Sequence, residues 1–162
     1  MKQSSNRQKG FTLIELVMVI VLIGALSVGA SSLFFSKGDY TAFVAQGQLL
    51  SSALLAQQVA LGMSATSNPV SLTVSVNGDG DWQFTLNKSG QPAQILTQQS
   101  SGGSLIVDGV TFSSGSSQTF TWNSQANLTS GTNHSIRFVA ETTSWVCLSS
   151  SGYAYRGSGS CP

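Results

Sequence analysis

Between Phe11 and Phe35 the chain runs for about 25 residues, long enough to cross a bilayer as a helix, with Glu15 as its only charged side chain. No other stretch restricts the fold as strongly. At a rise of ~1.5 Å per residue such a helix reaches across a ~30 Å hydrocarbon core. A carboxylate within it costs ~2.5–3.5 kcal/mol at mid-depth and less near the interface, so Glu15 demands a reason. The bland reason is that its side chain snorkels toward the headgroups. Ahead of the run lie Lys2, Arg7 and Lys9 with no acid among them. Cations preceding an apolar span stay on the cytoplasmic side, which sends the rest of the chain out of the cytosol. An ordinary secretory signal is the competing reading, with small residues at 27–32 as its cleavage site, but such signals have a shorter apolar region.

The chain has 162 residues, room for one membrane helix and one small domain. Beyond Gly10, Lys37, Lys88, Arg137 and Arg156 face Glu15, Asp39, Asp79, Asp81, Asp108 and Glu141. A mildly acidic body does not indicate a general nucleic-acid binder, and nucleic acid is not an expected partner. Cys147 and Cys161 fit export to an oxidising compartment; bridged, they close a loop of ~15 residues worth ~3 kcal/mol in the chain-entropy model. A pair of free thiols is the alternative. Zinc is disfavoured, since His134 is the only further ligand nearby.

The junction Lys9-Gly10-Phe11-Thr12-Leu13-Ile14-Glu15-Leu16 resembles the class III leader and first helix of type IV pilins and type II secretion pseudopilins. The resemblance implies that a prepilin peptidase cuts after Gly10 and that the new N-terminus, Phe11, is methylated. It further implies that Glu15 neutralises the N-terminal ammonium of an adjacent subunit during assembly, which lowers the desolvation penalty each ion would carry alone. The implied partners are other pilin subunits through the N-terminal helix, an inner-membrane assembly platform, and lipid before assembly. The implied location is the inner membrane first, with the N-terminus cytoplasmic, and a periplasmic or extracellular pilus afterwards. Residues 48–61 look like the minor pilins of the mannose-sensitive haemagglutinin (MSHA) system or the related GspH/FimT-type subunits. Many major pilins carry a proline where this chain has Ser31 and Ser32, which points to a minor subunit. The cysteine pair points away from a pseudopilin.

After Lys37-Gly38-Asp39 the pattern becomes amphipathic. Tyr40, Phe43, Val44, Leu50, Leu54, Leu55, Val59 and Leu61 recur at helical spacing, with Gln46, Gln48, Ser51, Ser52, Gln57 and Gln58 mostly on the other face. The apolar stripe is expected to face a downstream sheet, and Gly62, Ser64, Asn68 and Pro69 mark the stop. A helix continuous with the first half would run ~50 residues, or ~75 Å. Strands are predicted at 70–76, 82–86, 105–107, 110–112, 119–122, 135–140, 145–148 and 153–155, with turns at Asn77-Gly78-Asp79-Gly80 and Asp108-Gly109. The fold class is α+β, pilin-like: a long N-terminal helix packed on one antiparallel sheet, with a C-terminal disulfide. The expected parts are a leader at 1–10, a transmembrane or filament-core helix at 11–36, an amphipathic helix half at 37–64 and a β domain at 65–162.

Other candidate sites are thin. Asn77, Asp79 and Asp81 have the alternate spacing of a calcium loop, yet Lys88 stands where an EF-hand needs its bidentate acid, so a hairpin turn is the simpler reading. His134 has no evident activated partner in the sequence and makes no triad. No catalytic constellation, metal cluster or phosphate-binding glycine loop is present, so neither an enzyme nor a cofactor is expected. Tyr153, Tyr155 and Arg156 precede Cys161, and an aromatic tail with a cation is the alternative place for a base or a glycan.

Overall fold

The computed structural model describes residues 11–31, 37–62, 69–159 and 161, which fall into two compact units, Met1–Ser36 and Lys37–Pro162. The leader, with its cleavage residue Gly10, and the junction at 32–36 lie outside the described residues. So does the question of one continuous helix.

In the first unit, α1 spans Leu13–Ser31, 19 residues. The Thr12 carbonyl accepts the amides of Glu15 at 3.1 Å and Leu16 at 3.3 Å, which starts the helix. Leu13, Ile14, Leu16, Val17 and their successors as far as Leu26 are exposed around the whole circumference. Among the described residues no helix is long and apolar enough to cross a membrane. The described part does not confirm the membrane-crossing helix expected over 11–36, whose last residues lie outside the described ones.

Among the described residues the second unit holds α2 (Lys37–Gly62) and nine strands: β1 Val70–Val76, β2 Trp82–Asn87, β3 Gln94–Gln98, β4 Ser104–Val107, β5 Val110–Thr111, β6 Ser117–Trp122, β7 His134–Val139, β8 Thr143–Leu148 and β9 Ala154–Gly157. They form two antiparallel sheets, ordered β3-β2-β1-β6 and β5-β4-β7-β8-β9, where a single sheet was expected. The division comes from the bend at 99–103. Gly102 adopts φ 82, and a Cβ on Gly103 would lie 2.5 Å from the Val139 carbonyl oxygen and 2.9 Å from the Trp82 ring. Only a bare backbone passes there, and it carries the chain from β3 to the other sheet. β3 was not foreseen because it lacks alternation: four of its five positions are exposed.

The predicted alternation is otherwise obeyed. Val70, Leu72, Val74 and Val76 on β1, and Trp82, Phe84 and Leu86 on β2, all point inward. The sheets meet through Phe138 of β7, whose ring lies 5.0 Å from Trp82 and 5.8 Å from Phe84, edge-on to the latter. Offset and edge-to-face contacts of this kind add ~0.5–1.5 kcal/mol beyond burial. Trp122 closes the far end, its indole N–H donating to the Gly152 carbonyl at 3.0 Å.

α2 packs on strands of both sheets, but not with the stripe expected. Its buried seam is Ala42, Ala45, Leu49, Ala53, Ala56 and Ala60, at helical spacings of three and four. Tyr40, Phe43, Val44 and Leu61 are exposed, while Leu50, Leu54, Leu55 and Val59 are half-buried. Small side chains let the helix axis approach the sheets closely, so the larger ones are turned outward. Gln46, assigned to the polar face, is buried as well and donates its amide to the Trp145 carbonyl at 2.6 Å. That bond satisfies a donor which would otherwise be stranded in the core.

Candidate functional site

The N-terminal site rests on α1. Phe11 and Glu15 are both exposed, and Glu15 is the acid of the first turn. Its place three residues after Thr12, whose carbonyl begins the helix, is the spacing of a capping box. A carboxylate there also faces the positive end of the helix dipole. The Thr-x-x-Glu spacing is readable in the sequence. An unbroken apolar surface with one acid at its start can bury itself only against lipid or other apolar helices.

At the other end, Cys147 and Cys161 are disulfide-bonded with Cα atoms 5.5 Å apart, and neither thiol is free. Cys147 is buried on β8. A Cβ at Gly157 would come within 2.7 Å of its sulfur, so the glycine of β9 makes room for the bridge. Arg156 does not project as a free ligand-binding tail: its guanidinium lies 5.2 Å over the ring of Phe43 on α2. Tyr153 and Tyr155 stack on each other at 6.2 Å.

The turn at 77–81 spends its polar groups on itself. The Asn77 Oδ1 accepts the amides of Asp79 at 3.0 Å and Asp81 at 2.8 Å, and the Asp81 carboxylate accepts the Ser100 amide at 3.2 Å. Among the described residues no group of three His, Cys, Asp or Glu side chains is placed to hold a metal ion.

His134 has the partners that the sequence concealed. Its Nδ1 meets the Asp108 carboxylate at 2.6 Å, and its Nε2 meets Ser130 Oγ at 2.9 Å and Thr132 Oγ1 at 3.3 Å. The order Ser–His–Asp imitates a hydrolase triad, but a triad also needs oxyanion donors converging on the serine. The amide of Gly131, next to Ser130, is already given to the Leu128 carbonyl at 3.1 Å. The imidazole instead packs edge-on to Phe120 at 5.0 Å, and Asp108 accepts the Ser135 amide at 2.8 Å. The cluster ties the β4–β5 turn to β7. Nothing in the sequence signalled it, because 26 residues separate Asp108 from His134.

Residues 5–31 match the family described as the prokaryotic N-terminal methylation motif. No curated protein and no solved structure matches the chain. Basic leader, Phe11, Glu15 and the apolar helix behind them all fall on or beside that motif, and the chain carries a prepilin leader of the type IV pilin and pseudopilin kind.

Proposed function

We propose that this chain is a minor subunit of an MSHA-type adhesive type IV pilus, acting in its initiation or assembly. The prepilin motif over residues 5–31 supports a type IV pilin-like or pseudopilin subunit, and pilin-type families are structural. The Cys147–Cys161 bridge favours the pilus over the pseudopilin reading, and assembly through the N-terminal helix is supported by one observation: α1 is apolar and exposed, with Glu15 its only acid. Such a rod is stable in lipid before assembly and among sibling helices afterwards. The peptidase cuts between Gly10 and Phe11, the freed amine is methylated, and Glu15 of one subunit pairs with the ammonium of the next. In a low-dielectric helix bundle neither ion is tolerable alone, so the pair sets the axial register. Before the cut, the leader cations hold the N-terminus at the cytoplasmic face, and the assembly platform then engages the processed subunit. The β domain is displayed in the periplasm and then outside the cell.

The test is incorporation. Glu15→Ala is expected to be processed and membrane-held like the parent, yet to fall at least about tenfold in sheared surface filaments, the scale set by ~1.4 kcal/mol of lost pairing. Incorporation at the parental level would refute the pairing. Recovery of the chain only in periplasmic assemblies of a secretion system would replace the pilus reading with the pseudopilin one.

A further inference from the structure

We propose that the cleft beneath the disulfide-bounded tail binds an acidic sugar residue, with its carboxylate on Arg137 and its ring against Trp145. The antiparallel register sets Ile106, Arg137, Trp145 and Gly157 side by side on neighbouring strands. Their face of the second sheet is the one turned from the core, since the alternate residues Leu105, Ile136, Phe138 and Val146 are buried. The tail returns over this face to bring Cys161 to Cys147. Between tail and sheet lies a cleft of about 280 Å³, lined by Ile106, Ser135, Arg137, Trp145, Gly159 and Cys161 among others.

Two independent observations point to a ligand. First, no carboxylate is paired with the Arg137 guanidinium among the described residues, and the Arg137 Nε is buried without a hydrogen-bond partner. A guanidinium that lines a cleft with no carboxylate paired to it fits a carboxylate ligand. Second, the guanidinium is fixed 5.0 Å over the Trp145 ring, which presets its orientation and leaves an aromatic wall beside it. Ser135 adds a hydroxyl and Ile106 an apolar floor. The adjoining acid, Asp108, is already engaged by His134 and by the Ser135 amide. Polar groups beside an aromatic wall in a space of one ring suit a uronate-like sugar. A nucleic-acid strand fits less well, since it needs a track of cations and the body of this chain carries only Lys37, Lys88, Arg137 and Arg156.

The test titrates the full-length chain in detergent with sodium glucuronate, glucose, acetate and oligo-dT, following binding by calorimetry and by tryptophan fluorescence. Trp82 and Trp122 are fully buried and Trp145 lines the cleft, so a ligand-dependent emission change reports this site. Glucuronate should bind about tenfold or more tightly than glucose or acetate, the step expected of one charge-assisted contact joined to a ring contact. Arg137→Gln should lower glucuronate to the glucose level with an unchanged thermal midpoint, while Arg137→Lys retains part of the preference. A uronate-ended oligosaccharide binding at least as well as the monosaccharide identifies a polymer-borne residue as the source; weaker binding identifies the free sugar. Equal binding of glucuronate and acetate, glucuronate binding unaffected by Arg137→Gln, or no glucuronate binding overturns the assignment. Tighter binding of oligo-dT that Arg137→Gln abolishes overturns it in favour of nucleic acid.

Discussion

Removing the C-terminal bridge should cost this domain a large part of its stability. Cys161→Ala is the cleaner variant, because Cys147 is buried and tolerates remaining a thiol, whereas a hydroxyl in its place would be stranded. The two cysteines are 14 residues apart, and for a loop of ~15 residues the chain-entropy relation gives ~3 kcal/mol of unfolded-state restriction. Little on the folded side is lost. β9 remains paired with β8 over four residue pairs, and Arg156 stays over Phe43. The strand is nevertheless an edge, so its local opening should become easier than global unfolding. In urea titrations of the full chain in detergent, with an m-value of ~1–3 kcal/mol/M, the loss should appear as a midpoint lower by about 1 M or more. The reduced parent should match the variant. A midpoint shift of under about 0.2 M would mean that the unfolded chain is not restricted by this loop, and the reasoning would fail.

The alanine seam sets a second expectation: Ala53→Leu, at a fully buried position, should force α2 off the sheets and cost ~1–3 kcal/mol, read as a lower midpoint, whereas Ser51→Leu on the exposed side should be neutral within ~0.5 kcal/mol. At the first hairpin, Asn77→Ala orphans the amides of Asp79 and Asp81 and should cost ~1–2 kcal/mol. Asn77→Asp keeps an acceptor and should recover most of it, and neither calcium nor chelator should move the parental midpoint.

How much of this was legible follows from the range of each interaction. The leader, Glu15 and the apolar run are local contrasts of charge and hydropathy, readable without a fold. The hairpin turns were readable too, because Asp108-Gly109 must supply two left-handed residues, and does so at φ 49 and φ 82. The seam of α2 is not legible from sequence because alanine carries little hydropathy signal. Tyr40 and Phe43 look like core residues yet stand outside it. The split into two sheets hangs on Gly103 passing beneath Trp82, a contact between chain segments that no local pattern encodes. The Asp108–His134 contact likewise joins segments distant in sequence, and the Arg137–Trp145 pair arises from strand register.

Intact-mass and N-terminal analysis of the mature protein from its own cells tests the central claim most directly. The account predicts a chain that begins at a methylated Phe11, with Met1 to Gly10 removed and both cysteines oxidised. A mature chain that still carries Lys2, Arg7 and Lys9, or one cut instead within 27–32, would contradict it.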